Sequence, residues 1–293
     1  MHLKYYGTAA AEGIPGMFCT CPVCRESLRL GGRNIRTRSQ ALVDGQLLID
    51  FPPDTYEHML HGGLDLPSIH ALLLTHAHQD HLYAQDFENR KPGFAHVGDW
   101  DIAHTQPLRV YATAKAMEYV RAQDGDSLEH RNVIELHEIA AFAPFMVDAG
   151  NGVDAGNRVD GFAVTALTAD HSAAAGPVIY AIERAEKAML YANDTGYFTE
   201  ATWDYLTRVR PRFDYVSLDC TGMIMRDYRH GHMCLEVGTE VRDRLIYIGC
   251  ADAATIFCAH HFSHNGGLTH DDLVKEAAQV GFLASYDGME IEF

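Results

Sequence analysis

The chain has 293 residues, 47% hydrophobic and 22% charged, with 25 Gly and 10 Pro. This composition excludes collagen-like, disordered and low-complexity proteins, and the length is ample to bury a hydrophobic core. Lys and Arg number 23 against 40 Asp and Glu, and the net charge of −17 argues against non-specific binding to nucleic acid.

Hydrophobic patterns predict strands and helices in mixed order along the chain. The predicted strands are 2–6, 41–49, 69–74, 108–111, 162–167, 177–183, 188–192, 215–218 and 255–259, and the predicted helices are 55–61, 114–123 and 235–245. Thr269 and Asp272 predict the start of a last helix that Gly281 closes, and the tail predicts two strands joined at Asp287-Gly288. Because no βαβ alternation is visible, we expect an α+β sandwich rather than a doubly wound sheet.

No linker or internal repeat divides the chain, so we expect a single domain over 1–293. No apolar run approaches the ~20 residues of a membrane span. The first ten residues also lack the basic flank and apolar stretch of a signal peptide. We therefore expect a cytoplasmic protein with no membrane partner.

The sharpest motif, THAHQDH, directly follows the continuous apolar run IHALLL. His76, His78, Asp80 and His81 fall within six residues of one loop. Loops at strand ends are where rigid scaffolds present functional groups, and neutral imidazole is the commonest metal ligand. His76 and His78 can point one way while Asp80 and His81 turn to a second position. The loop therefore predicts two adjacent metal ions.

Further ligands stand at the ends of later apolar strands: His171 after FAVTALT, Asp194 after AMLYAN and His261 after TIFCAH. Nitrogen and carboxylate ligands of this kind suit Zn²⁺, and also Mn²⁺ or Fe²⁺. A carboxylate can bridge two metals, which gives Asp194 a natural role. The set predicts a dinuclear centre.

This constellation resembles that of the metallo-β-lactamase superfamily, over nearly the whole chain. The resemblance implies an αββα four-layer sandwich with the metals at one edge of the paired sheets. It assigns His76, His78 and His171 to the first metal, Asp80, His81 and His261 to the second, and Asp194 to the bridge.

A second cluster, CTCPVC, offers the thiols of Cys19, Cys21 and Cys24. A structural zinc needs four ligands, and three Cys with one His is a standard set. His264, three residues after His261, is the candidate for the fourth ligand. Three inert buried thiols are the alternative interpretation.

The opening GTAAAEGIPGMFCTCPVCRES and the ending DGMEI resemble one branch of the superfamily. That branch holds phosphoribosyl cyclic phosphate phosphodiesterases and a protein of pyrroloquinoline quinone biosynthesis. The resemblance implies a structural zinc on Cys19, Cys21, Cys24 and His264, a catalytic histidine and a homodimer. The segment SLDCTGMIMRDYRHGHM offers His232 as that histidine, with His230 as the weaker choice.

A polar stretch at about 83–107, including Arg90, Lys91, His96, Trp100 and His104, departs from this branch as an insertion. This insertion either changes the shape of the pocket entrance or is a surface loop with no effect on the pocket. The identity of the substrate depends on which of these is true.

We expect metal-assisted hydrolysis of a small, anionic, cyclic phosphodiester such as a phosphoribosyl cyclic phosphate. Two ions would lower the pKa of a bridging water and polarise phosphoryl oxygens. Asp80 would orient the resulting hydroxide, and His232 would bind the phosphate or protonate the leaving alkoxide. The alternatives are a tRNA-processing nuclease of the same fold, which the charge of −17 disfavours, and an accessory protein of quinone biosynthesis.

Overall fold

The computed structural model describes residues 1–96, 106–148 and 161–293. Within them the strands form two sheets of seven strands each. The strands are β1 His2–Gly7, β2 Gln40–Val43, β3 Leu47–Ile49, β4 Ala71–Leu73, β5 Leu108–Ala112, β6 Ile134–Glu138, β7 Pro144–Asp148, β8 Gly161–Thr168, β9 Val178–Arg184, β10 Lys187–Ala192, β11 Tyr215–Asp219, β12 Ile256–His260, β13 Leu283–Ala284 and β14 Glu290–Glu292. The first sheet has the order β14-β1-β2-β3-β4-β5-β6 and the second β13-β12-β11-β10-β9-β8-β7.

Seven α-helices lie among the described residues, and the last five of them pack on the outer faces of the sheets. The seven helices are α1 Pro22–Leu30, α2 Thr55–Leu60, α3 Ala114–Val120, α4 Asp126–His130, α5 Glu200–Val209, α6 Leu235–Tyr247 and α7 His270–Gln279. Helix α1 begins where the Cys21 sulfur accepts the Cys24 N–H and Pro22 occupies the first turn. Helix α5 begins at Thr199, whose side chain accepts the Thr202 N–H.

Three apolar clusters show the order of the layers. One fills the space between the sheets, a second joins the first sheet to α3 and α4, and a third joins the second sheet to α5, α6 and α7. Strand β4 contributes to two of these clusters, since Leu73 packs between the sheets and Leu72 packs on the side of the helices. Both faces are buried, as its continuous apolar run predicted. The four-layer αββα sandwich is therefore confirmed.

One strand prediction was wrong. The run 41–49 is a hairpin of β2 and β3, because the chain turns at Asp44 and Gly45, which have φ of 50° and 69°. The two strands predicted in the tail are confirmed on either side of Asp287-Gly288, and they pair in different sheets: β13 with β12 in the second and β14 with β1 in the first. Alternation within the tail is a local pattern and does not specify the partner strand.

The helix predicted at 114–123 ends earlier, at Val120, and a wider turn over Arg121–Gly125 contains non-helical residues at Gln123 and Asp124. The strands predicted at 177–183 and 188–192 are confirmed as β9 and β10, which form an antiparallel hairpin.

The polar stretch at about 83–107 is described only in part, and Trp100 and His104 lie outside the described residues. Its first part is the 3-10 helix Ala84–Arg90, which packs Phe87 into the outer cluster of the first sheet. Among the described residues, no helix has the length and apolar character needed to cross a membrane.

Candidate metal centre

Loops that follow strands of both sheets converge at one edge of the sandwich. β10, β11 and β12 are parallel, so their carboxyl ends meet at this edge. The edge brings together all the side chains predicted for the dinuclear centre: His76, His78, Asp80 and His81 after β4, His171 after β8, Asp194 after β10 and His261 after β12.

Three histidines form one half of the site. His76 Nε2 lies 3.0 Å and His171 Nε2 lies 3.1 Å from His78 Nδ1. The ligand atoms of these residues all lie within 4.8 Å of one another. Imidazole nitrogens at this spacing suit a divalent transition metal.

Asp194 lies between the two halves. Its Oδ2 is 2.7 Å from His81 Nε2 and 2.9 Å from His261 Nε2, while its Oδ1 is 3.7 Å from His171 Nε2. Asp80 Oδ2 lies 3.2 Å from His81 Nε2 and completes the second half.

The donor atoms of this second half fit a cation. His81 Nε2, His261 Nε2 and Asp194 Oδ2 are buried, and within the described residues none of them has a hydrogen bond of good geometry. Buried polar atoms are normally hydrogen-bonded, so such atoms facing one another need another partner. A divalent ion held by these residues would satisfy all three atoms.

Hydrogen bonds on the far side of the rings orient the histidines. His81 Nδ1 donates to Asp50 Oδ2 at 2.7 Å, and His171 Nδ1 donates to the Gly231 carbonyl at 2.9 Å. Similar contacts join His76 Nδ1 to Thr75 Oγ1 at 3.1 Å and His261 Nδ1 to Thr221 Oγ1 at 2.9 Å. With Nδ1 engaged, the Nε2 atom of each ring faces the centre, which is the usual support of a metal-binding histidine.

The charges of the centre are strongly coupled. Burial raises the pKa of Asp194, but the charges of His261 and His81 outweigh it and hold that pKa well below its usual range. Burial lowers the pKa of His261, yet the Asp194 carboxylate raises it to about 10. Against burial, Asp194 and Asp80 likewise raise the pKa of His81. The charge of Asp194 and the charges of the two imidazoles that face it therefore favour one another.

The centre opens into a cleft of about 390 Å³. His232, from the segment after β11, lines this cleft, and its Nδ1 donates to the buried Asp219 Oδ2 at 3.0 Å. Burial lowers the pKa of His232, but the Asp219 charge more than reverses this and raises it. The side chain of His230 is 87% exposed and pairs with Asp170 at 3.2 Å. The geometry thus places His232, rather than His230, at the centre.

The cysteine cluster lies where the N-terminal loop packs against the segment after β12. The ligand atoms of Cys19, Cys21, Cys24 and His264 all lie within 4.8 Å of one another. His264 Nδ1 is 3.6 Å from Cys21 Sγ and 3.8 Å from Cys19 Sγ. Burial raises the pKa of the Cys21 thiol, but hydrogen bonds, first that from the Cys24 N–H, lower it to about 7. This donor set fits a tetrahedral zinc.

Residues 46–262 match the family described as Beta-lactamase superfamily domain. The chain belongs to the beta-lactamase superfamily. The resemblance indicated by the sequence is therefore confirmed, and the family is one of metal-dependent hydrolases with the metallo-beta-lactamase fold.

Two curated relatives match parts of this superfamily member. An octanoyltransferase of Porphyromonas gingivalis is 37% identical over 84 residues, which are 27% of this chain and 16% of that protein. Coenzyme PQQ synthesis protein B of Methylobacterium nodulans is 30% identical over 129 residues, which are 40% of this chain and 38% of that protein. The chain thus spans less than half the length of either relative.

Solved structures share the fold over the whole chain. Zn²⁺-bound PqqB from Methylobacterium extorquens has a TM-score of 0.69 at 22% identity and is matched over 100% of both chains. A diphosphatase from the PhnP family has a TM-score of 0.68 at 20% identity, over 100% of this chain and 96% of that one. Human tRNase Z, short form, has a TM-score of 0.58 at 15% identity, over 100% of this chain and 99% of that one. At these identities the likeness shows the fold alone.

Some residues of the site were not predicted. Asp50 accepts a hydrogen bond from His81 Nδ1 and directly follows β3. Because it is a carboxylate at the end of a predicted strand, it could have been predicted as a site residue. Glu12, which also lines the cleft, carries no such signal, because its loop approaches the centre only through tertiary packing.

Proposed function

We propose that this protein is a phosphodiesterase that hydrolyses a small phosphodiester with the help of two divalent metal ions. The observation that supports it most directly is the group of buried atoms on His81, Asp194 and His261, which face one another without a hydrogen bond of good geometry. Asp194 and His261 also line the cleft, together with the imidazole of His232 that is hydrogen-bonded to Asp219.

The proposed ligands divide into two sets around Asp194. His76, His78 and His171 would hold one ion, Asp80, His81 and His261 the other, and each Asp194 oxygen faces one set. Zn²⁺, Mn²⁺ and Fe²⁺ all accept such ligands. When bound, two such ions supply positive charge to phosphoryl oxygens and lower the pKa of a water toward neutrality.

His232 and Asp219 supply the proton for the leaving group. Asp219 is buried and accepts the Nδ1 proton of His232, so it favours the protonated imidazole. Within the described residues, Nε2 of that ring has no hydrogen-bond partner, and the ring lines the cleft. An Nε2 proton is thus available to a departing alkoxide or to a phosphoryl oxygen. Asp80 offers its second oxygen to orient the attacking water.

The size and charge of the molecule favour a small substrate. The cleft of about 390 Å³ is near the lower end of ligand pockets, which hold small molecules. A polynucleotide needs basic surface, and the chain carries a net charge of −17. Cys19, Cys21, Cys24 and His264 would hold a structural zinc that ties the N-terminal loop to this edge.

A panel of substrates tests the reaction class. The protein would be loaded with Zn²⁺ or Mn²⁺ and assayed with bis(p-nitrophenyl) phosphate, a cyclic ribose phosphate, a thioester, a lactam and a short RNA. We expect turnover of the first two compounds alone. Turnover of the lactam or the thioester without the phosphodiesters would overturn the proposal, and cleavage of RNA alone would favour the nuclease.

A matched pair of variants tests the metal centre. His78→Ala should lose metal and hydrolysis together, as elemental analysis and the phosphodiester assay would show. His61→Ala is the control, because that histidine follows α2 with a side chain 72% exposed. Hydrolysis by protein depleted of metal would contradict the proposed chemistry.

A further inference from the structure

We propose that Glu12 selects the substrate: the group esterified to the phosphate is rich in hydroxyls and carries no second phosphate, which excludes the phosphoribosyl cyclic phosphate expected from the sequence. This inference rests on the proposed phosphodiesterase function and narrows it. It starts from the polar side chains that line the cleft beyond the proposed metal ligands and His232, among them Glu12, Tyr228, Ser263 and Asn265.

Glu12 is held in place beside the metal centre. Ala10 N–H donates to the Phe262 carbonyl at 2.9 Å, which docks the N-terminal loop on the residue that follows His261. The Ser263 hydroxyl then donates to Glu12 Oε1. Glu12 Oε1 also lies 3.7 Å from His264 Nε2, and these contacts fix the carboxylate at the wall of the cleft.

The second oxygen of Glu12 is available to a ligand. The side chain is 33% exposed, and in the described part of the chain Oε2 has no hydrogen-bond or ion-pair partner. Asn265 and Tyr228 add an amide and a phenol to the same cleft. Carboxylate, amide and phenol groups are the partners that sugar hydroxyls use.

Among the described residues, a second phosphate would meet no cation in this cleft apart from His232, which together with the metal ions would act on the reacting phosphoryl group. None of the described residues that line it is Lys or Arg. Arg38 comes near through its bond to the Ala11 carbonyl at 2.8 Å, but its guanidinium is paired with Asp54 at 3.0 Å. Arg226 is exposed next to Met225 and is not among the lining residues.

The positive and negative charges of the cleft would therefore act on different groups of the substrate. The metal ions would neutralise the one phosphoryl group that reacts, whereas a further phosphate would face the negative charge of Glu12. Like charges brought together in a partly desolvated site are strongly unfavourable, so Glu12 excludes the doubly phosphorylated compound.

The test compares ribose 1,2-cyclic phosphate with the same compound phosphorylated at its 5-hydroxyl. For the wild-type protein loaded with Mn²⁺ we expect kcat/KM to be at least about tenfold higher for the compound without the second phosphate. Glu12→Gln keeps the size and an acceptor oxygen but removes the charge, so it should reduce this preference by about tenfold. Glu186→Gln, in the exposed β9–β10 turn, makes the same change of charge far from the cleft and should keep the wild-type preference.

Two results would overturn the selection by Glu12 while leaving the phosphodiesterase intact. One is a wild-type preference for the doubly phosphorylated compound, above all if Arg226→Ala abolishes it. The other is an unchanged preference in Glu12→Gln. Failure of the wild-type protein to hydrolyse either compound or bis(p-nitrophenyl) phosphate would instead overturn the proposed function, and this inference with it.

Discussion

Binding of metal at the dinuclear centre should release protons, and its affinity should therefore fall steeply as the pH is lowered. The Asp194 carboxylate raises the pKa of His261 to about 10, and Asp194 with Asp80 raises that of His81. With a pKa of about 10, the His261 imidazole carries a proton on both nitrogens at neutral pH before an ion binds, and the pKa of His81 is shifted in the same direction. Each Nε2 atom that faces Asp194 must lose its proton before it can bind an ion.

The size of the effect follows from the number of protons displaced. With one proton released by His261, the apparent affinity changes by about tenfold for each pH unit below that pKa, or about 1.4 kcal/mol, and a proton released by His81 would make the slope steeper. His76 adds nothing to this slope, because burial lowers its pKa. The change from about pH 7.5 to about pH 6.5 should thus weaken binding by at least about tenfold.

Mn²⁺ is the suitable probe, because thiolates prefer zinc and the cysteine cluster would otherwise contribute protons of its own. Calorimetric titration in two buffers of different ionisation enthalpy counts the protons released, and titrations at several pH values give the slope. An affinity independent of pH across this range would refute the view that Asp194 holds His261 in its charged form.

Three further outcomes are expected. His232→Ala should lower kcat by about 100-fold or more, while His230→Ala should stay within about threefold, and equal losses would contradict the assignment of the proton donor. Cys24→Ser should remove one zinc per chain by elemental analysis and lower the unfolding midpoint, so an unchanged zinc content would count against a zinc at the cysteine cluster. Gly196→Ala should destabilise the fold by about 1–3 kcal/mol in urea unfolding, because a Cβ atom there would lie 2.3 Å from the Arg229 carbonyl oxygen, and wild-type stability would show that this backbone relaxes freely.

The sequence predicted the core of the sandwich because its central strands are apolar on both faces. Strand β4 illustrates this, with Leu72 and Leu73 in different clusters. Strands β6 and β7 were missed because they are edge strands and much of each is exposed. An edge strand needs neither a continuous nor an alternating apolar pattern, and β7 even begins with Pro144.

The proposed metal ligands could be predicted for a related reason. A His or Asp that directly follows a buried strand has a defined position at the sheet edge, as His171, Asp194 and His261 do. Glu12 could not be found in this way. Its place at the cleft depends on the docking of one loop on Phe262, which no local pattern specifies.

The proposed ligands are divided between the two sheets, and this has a consequence for the order of assembly. The first sheet presents His76, His78, Asp80 and His81, and the second presents His171, Asp194 and His261. Neither sheet alone offers a complete set of metal ligands, so a chain in which the sheets have not yet packed together would hold an ion only weakly. Uptake of both metal ions would then be the last step of maturation. Binding of two ions per dinuclear centre would show that the two sheets have packed together correctly.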